Sequence, residues 1–509
     1  MKHLADAMSR RDFFGTIKDG VLLSFLSGIP IQMKEEAVLN DVFLIKNIPD
    51  QPFTKGLTDN HHAGVESLLS LMGSQGLKFY RSSKDSALGG PQGLIGPEDV
   101  VLVKVNAQWK YRGATNSDLV RGLVQRILEH PDTFTGEVVI FDNGQGRGSL
   151  NCDTRSNYTD YSVHANANDE SHSFLYLVNT IFKDPRVSAY LLDPIRSTFI
   201  GDSDHGRDGY RRYENVSYPC FTTAGGRRVE LLGGVWRDGE YRKNLKMINV
   251  PVLKHHDTGG SEITASLKHL YGVVSMEDGQ SGFRHYTGLG ETCGKMMASV
   301  CKPVLNILDA VWVSYSSLTG YPANTTSRIN QIMAGQDPVA LDYLAAKTIL
   351  YPINNNLRHH PDYAGIDTWL RQARDTINGA GGLRDLEKGI VVGQVTKNEA
   401  EMRVFSSDGD SAKPVYPPLN FSGRKILNRS LFRNEYIVEL KWQSNPDNEG
   451  AAGYRVYRQA TEGRVLLASV DASTYRYWHR NVLKDKAYVY ALTTISSEGR
   501  ESGPALLTL

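Results

Sequence analysis

Cysteine is scarce. Among 509 residues there are four, Cys152, Cys220, Cys293 and Cys301, and no two of them make a CxxC spacing. This excludes iron–sulfur and zinc-ribbon ligand patterns and a dense disulfide framework. An excess of either charge is also missing: 57 Lys and Arg stand against 56 Asp and Glu, a formal net charge of +1, with no long basic run. A protein held to nucleic acid by phosphate contacts is therefore not expected. No uninterrupted apolar stretch is long enough to span a bilayer, so no integral membrane segment is expected in the mature chain. What is present is ordinary for a soluble globular protein, 40% hydrophobic and 22% charged. A chain of 509 residues has room for roughly three units of domain size and can bury a core without covalent staples.

The N-terminus reads Ser9-Arg10-Arg11-Asp12-Phe13-Phe14, followed by a moderately apolar stretch at 21–31 that Lys18 and Asp19 precede. Two arginines before a polar residue and a large apolar pair resemble the twin-arginine export motif. Residues 1–31 are expected to be an export leader, and the protein to be periplasmic or extracellular.

The body of the chain reads as an α/β fold with a mainly parallel sheet and flanking helices. The run Val100-Val101-Leu102-Val103-Lys104-Val105-Asn106 has the near-continuous apolar character of a strand buried on both faces. A helix stripe follows at Leu119, Val120, Leu123, Val124, Ile127 and Leu128, then a strand at 137–141 that ends in Asp142-Asn143. This is a βαβ unit. The Gly-rich tail 143–148 could form an anion nest, but no Gly-Lys-Ser/Thr closes a P-loop and no helix completes a dinucleotide fingerprint. Residues 151–244, rich in Asn, Asp, Arg, Tyr and Gly, read as a long insertion covering the strand ends, with a helix at 174–182 and a hairpin at 228–236.

The stretch 247–272 is the centre of the reading. Met247-Ile248-Asn249-Val250 predicts a buried strand ending at Pro251, after which Lys254-His255-His256-Asp257 are released together. Thr258-Gly259-Gly260 predicts a turn, Ser261 an N-cap, and Ile263, Leu267, Leu270 and Tyr271 a helix that carries Lys268 and His269. Ionisable groups at a strand end are how an open α/β sheet builds a site. Further on, a strand at 304–313 contains Asp309 and another is expected at 329–333. Asp337 and Pro338 begin a helix at 339–350 that contains Asp342.

Residues 408–419 have the composition of a linker, and 32–407 are assigned to the α/β domain. In 420–509 the period changes to alternation, at 436–442, 453–458 and 488–494, which predicts a β-sandwich. With Trp442 in the second strand, Tyr454, Val456 and Tyr457 in the third, and Tyr488, Tyr490 and Leu492 in the sixth, the tail resembles a fibronectin type III module. That resemblance implies a spacer or a surface for carbohydrate or protein.

Residues 101–106 (VLVKVN), Val139 to Asp142, INVPVLKHH at 248–256, LKHLYG at 267–272, Asn306 to Ala310 and AGQDPVALD at 334–342 resemble, in this order, the domain of unknown function, family 362. The resemblance spans about 100–350 and carries no activity. That family usually has Lys-Asn where this chain has Lys268-His269, and many members insert a cysteine-bearing cluster domain that this chain lacks, so no iron–sulfur cluster is implied.

The candidate site follows. Lys254, His256 and Lys268 are the catalytic candidates, and Lys104, Asn106, Asp142 and Asn143 are the ligand-binding ones. Converging lysines would hold a phosphate or carboxylate, and a desolvated lysine among cations could serve as base or Schiff-base nucleophile. Asp309 and Asp342 either fix the lysines or hold a divalent cation such as Mg²⁺. The expected function is an enzyme acting on a small anionic ligand; the alternative is a non-catalytic secreted binding protein that uses the insertion and the C-terminal module.

Overall fold

The computed structural model describes residues 38–509 except 54–59, 257–261, 280–282, 386–387, 410–414, 430–433, 447, 449, 461–462, 498–500 and 503. The expected leader, Asp257, the 258–260 turn and the Ser261 cap lie outside the described residues.

Nine strands carry the main sheet: β1 (Asp41–Lys46), β2 (Val100–Lys104), β3 (Glu137–Asp142), β4 (Val187–Leu191), β5 (Leu245–Asn249), β6 (Val252–His255), β7 (Leu305–Ser314), β8 (Thr326–Gly335) and β9 (Arg403–Asp408). Its order is β9-β1-β8-β7-β5-β2-β3-β4, with β6 and the short strand Ile263–Thr264 added beside β7. The run β7-β5-β2-β3-β4 is parallel throughout, and only β8 among these nine runs against its neighbours. Every residue of β2 and β3 is buried, which is why both read as unbroken Val/Ile/Leu runs. Strand order reverses at β2: the chain next adds β3 and β4 on one side, then β5 on the other. In an open α/β sheet the carboxyl ends at such a reversal leave a crevice.

Helix α1 (Ala63–Ser74) is capped by the His62 ring, whose Nδ1 accepts from Gly64 N at 3.1 Å. Helix α2 (Ser117–Leu128) is capped by Asn116, whose Oδ1 accepts from Leu119 N at 3.0 Å. The two pack closely, and a Cβ on Gly122 would lie 2.4 Å from that of His62. Two more short helices follow, α3 (Ser266–His269), which lines the crevice, and α4 (Pro338–Ala345), which is bonded to the start of α3.

The strand predicted to end at Pro251 does so, as β5, but the chain does not leave the sheet. Proline breaks the ladder to β2, because it has no N–H, but its carbonyl accepts from Asp309 N at 2.8 Å and the chain resumes as β6 alongside the long β7. Lys254 therefore stands on a strand that rises above the ends of β2 and β3. The helix is also shorter than predicted: Ile263–Thr264 pairs with β6, and α3 starts only at Ser266.

The polar region 151–244 is more than an insertion. It contributes β4 to the sheet edge and then an antiparallel sheet of five strands between Gly209 and Arg242. Tyr210, Tyr218, Phe221, Val229 and Val235 from that sheet join the main hydrophobic core. Helix 174–182 and the pairing of Arg228–Glu230 with Gly234–Arg237 agree with expectation.

Beyond β9, the C-terminal region is all antiparallel β. One sheet has the order Leu419–Arg429, Asn434–Gln443, Arg476–Val482; the other has Gly463–Asp471, Ala451–Ala460, Val489–Ser496, Ala505–Thr508. Val438, Leu440, Trp442, Tyr454, Val456 and Tyr490 form its own core. Among the described residues no helix is long and apolar enough to cross a membrane.

Candidate ligand site at the strand ends

The crevice at the β2 reversal is a cavity of about 350 Å³. Lys104, Lys254, Lys268 and Arg147 supply its basic side chains, and Asp142 is the one carboxylate among the described residues that line it. The three lysines predicted to converge thus share one cavity, but their roles differ.

Lys104 closes β2 and is wholly buried. Its Nζ meets three acceptors: Asp142 Oδ1 at 2.6 Å, Val105 O at 2.8 Å and His269 Nε2 at 3.3 Å. An ammonium has three donors, so this one is saturated. Burial draws Lys104 below the ordinary lysine value, and the Asp142 charge pulls it back. The second Asp142 oxygen accepts from Ala107 N at 2.6 Å. Burial drives His269 well below the usual histidine value and the Lys104 charge adds to this, so the ring is neutral. Its Nε2 accepts from Lys104, so Nδ1–H donates to Asn249 Oδ1 at 2.7 Å. Asn249 Nδ2 then donates to Asn306 Oδ1 at 2.9 Å, and Asn306 Nδ2 to Gly335 O at 3.2 Å. A polar chain of fixed direction thus runs across the ends of β2, β5, β7 and β8. His269, where the resembling family usually has Asn, is a link in this chain. Gly272 is pressed against it: a Cβ there would lie 3.2 Å from both Asp142 Oδ1 and Lys104 Nζ.

Lys254 is equally buried but differently served. Its Nζ donates to Gly113 O at 2.6 Å, its one protein acceptor among the described residues. Burial holds it well below the ordinary lysine value, the Lys268 charge pushes the same way, and Asp142 opposes them. Lys268, on α3, lies 3.3 Å from His285 Nε2 and 5.7 Å from the centre of the Tyr271 ring. His256, just past β6, is buried beside His285 with ring centres 5.7 Å apart.

Of the predicted ligand-binding residues, Asn143 is committed to structure. Its Oδ1 accepts from Gln145 N at 2.9 Å and its Nδ2 faces Tyr210 OH at 3.4 Å. The anion nest expected at 143–148 does not form as such. Gly146 N donates to Asp193 Oδ2, and Arg147 N and Gly148 N donate to Gly144 O, so with Gln145 N four of its N–H groups are taken. Asn106 is different, because its Oδ1 has no hydrogen-bond partner among the described residues.

Asp309 and Asp342 bind backbone N–H groups. Asp309 accepts from Asn116 N at 2.7 Å and Val311 N at 3.0 Å. Asp342 accepts from Ser266 N at 2.7 Å and Leu267 N at 2.9 Å, which caps α3 from α4. Neither lines the cavity. Among the described residues no three His, Cys, Asp or Glu side chains converge in a way that would hold a metal ion. Asp337 caps α4 as predicted, accepting from Val339 N at 2.8 Å and Ala340 N at 3.0 Å. Residues 151–244, expected to shape access to the site, supply none of the described cavity wall.

Several lining residues were not foreseen as part of a site, among them Trp109, Arg147, Tyr271 and His285. Trp109 is buried, and its indole Nε1 has no hydrogen-bond partner among the described residues. Its position three residues past the end of the Val100–Asn106 run was the available signal. His285 follows a segment without periodicity and offered none.

Residues 240–347 match the model of the family described as Domain of unknown function (DUF362). The matched segment carries Lys254, His256, Lys268 and His269, and it supports the resemblance over its C-terminal part. No curated protein matches the chain. Among solved structures, the chain is similar to "Structure of FN3tt mut", at 20% identity and TM-score 0.15, over 18% of this chain and 90% of that one. It is similar to an Fn3-like protein from Clostridium thermocellum, at 23% identity and TM-score 0.15, over 19% and 91%. It is also similar to the Spr0440 glycoside hydrolase domain, Endo-D, from Streptococcus pneumoniae R6, at 18% identity and TM-score 0.16, over 20% of this chain and 16% of that one. Likenesses at this level carry no functional argument.

Proposed function

We propose that the α/β domain is an enzyme that binds a small anionic ligand, a carboxylate or phosphate, in the strand-end cavity. The observation that carries this reading is the composition of the cavity wall: among the described residues that line it, three lysines and an arginine, Lys104, Lys254, Lys268 and Arg147, stand with one carboxylate, Asp142, which pairs with Lys104. Enclosed cations at a sheet reversal hold an anion far better than the same groups in water. In this reading Lys268 holds the negative group and Lys254 is the base or nucleophile. His256 moves a proton, Asn106 orients the ligand, and Lys104 with Asp142 keeps the wall in place.

Activity screening against phosphoesters and carboxylates tests the reading. Lys254→Ala and His256→Ala are expected to be folded and inactive. If both keep full function while removal of the C-terminal region abolishes it, the protein is instead a binding protein. We read that region as a fibronectin type III-like module, on its order of three plus four strands with Trp442 in the second and Tyr490 in the sixth. Such a module would act as a spacer or as a surface for carbohydrate or protein outside the cytoplasm.

A further inference from the structure

Two lysines in one cavity are built to opposite specifications. Lys104 and Lys254 are both sealed from solvent. Lys104 has an acceptor for each of its three N–H groups, one of them a carboxylate. Lys254 has one among the described residues, the Gly113 carbonyl, and a second lysine for a neighbour. A buried ammonium left with two unmet donors is costly, whereas a neutral amine at that position needs little more than the one carbonyl and keeps a lone pair. Lys104 therefore sits as a cation and Lys254 as an amine. The same wall carries the Trp109 indole N–H, a buried donor with no hydrogen-bond partner among the described residues, which calls for an acceptor oxygen from a ligand.

On the reading that the cavity binds an anion, we propose that the ligand is a small oxo acid, that Lys254 captures its carbonyl carbon as a Schiff base, and that Lys268 holds its carboxylate. The lone pair of Lys254 Nζ adds to the carbonyl carbon while the π pair moves to oxygen, which takes up the proton that nitrogen gives up. That hydroxyl takes a second proton from solvent and leaves as water, and a C=N bond remains whose nitrogen keeps its one proton and carries the positive charge. No electrons are gained or lost. The resulting cation withdraws electrons from the neighbouring carbon bonds, which is the purpose of such an adduct.

Among the described residues, the charged and titratable groups that line the cavity with Lys254 are Lys268 and His269 on α3, Asp142 at the end of β3, Lys104 at the end of β2, and Arg147, His256, Tyr271, His285 and Tyr286. Lys268 and Asp142 act on it in opposite directions, and the burial they share is the larger effect.

The test is reductive trapping. Full-length protein is incubated with pyruvate and sodium borohydride at neutral pH, and the adduct is located by peptide mass mapping. The expected result is one reduced adduct, on Lys254. It should form at least about tenfold faster than on an exposed lysine, since each pKa unit removed gives about tenfold more free amine. Lys268→Met should retain the Lys254 amine but move the trapping profile to higher pH, and should abolish the preference for pyruvate over acetone. This second readout stands even if a Lys254 variant fails to fold. Adducts scattered over surface lysines, or none, overturn the proposal. A parallel measurement with lactate, which has the carboxylate but no carbonyl, separates the two levels of the argument. Lactate protection against thermal unfolding, lost in Lys268→Met, without trapping leaves anion binding standing and removes the Schiff base. Neither effect removes both.

Discussion

Lys104 Nζ lies 2.6 Å from Asp142 Oδ1, and neither side chain reaches solvent. The pair joins the ends of two adjacent parallel strands at the point where the strand order reverses. Removing one partner leaves the other buried and uncompensated, at a cost of about 3–5 kcal/mol. We predict a loss of that size for Lys104→Met or Asp142→Asn alone, read by urea denaturation at unchanged m-value. The double variant should recover a large part of it. Additive losses would mean that the two groups do not act as a pair.

His269 lies between that pair and Asn249. His269→Ala would leave one Lys104 donor and the Asn249 carbonyl oxygen unmet, costing about 1–3 kcal/mol. His269→Asn retains a short polar side chain, as the resembling family usually has, and should cost less than Ala. Equal losses for Ala and Asn by thermal unfolding would show that packing, and not the polar chain, is what His269 supplies.

How much of this was legible in the sequence depended on whether the deciding partner was local. Val100 to Lys104 and Glu137 to Asp142 were legible because burial on both faces leaves an unbroken apolar run. Strand β8 was seen only at its centre, because Thr326, Ser327, Arg328, Asn330 and Gln331 are only partly buried and polar. Strand β4, five residues within a polar region, gave no signal above its surroundings. Asp337 was read correctly as a cap, since its partners are the next residues in the chain. Asp342 was not, since it caps a helix 75 and 76 residues away. The lysines show the limit most clearly. Sequence order put Lys104, Lys254 and Lys268 at strand ends, but only the fold supplies three acceptors to one and a single acceptor to another.

Burial raises Asp309 to about 7, against the two backbone N–H groups that favour its charged form. The folded value lies above the unfolded one, near 4, so the folded state binds more protons between them. The stability that this group contributes is fully present below about pH 4 and is lost as pH rises through about 7, by at most about 4 kcal/mol. The stability difference between wild type and Asp309→Asn, from denaturation at pH 5 and pH 8, should be larger at pH 5. A larger difference at pH 8 would contradict the assignment.

The Arg10-Arg11 motif predicts export of the folded protein. Substituting both arginines by lysine should retain the chain in the cytoplasm, still folded, as read by cell fractionation. Wild-type chain found in the cytoplasm with Met1 intact would show that residues 1–31 are not a leader.

The central claim is that an anion occupies the cavity above β2 and β3. A crystal structure of the full-length protein with pyruvate or inorganic phosphate tests it most directly. The account predicts the anion against Lys268 Nζ, with an oxygen accepting from Trp109 Nε1 and Lys254 Nζ within reach of the ligand. An empty cavity at saturating ligand, or an anion bound only on the outer surface, would contradict it.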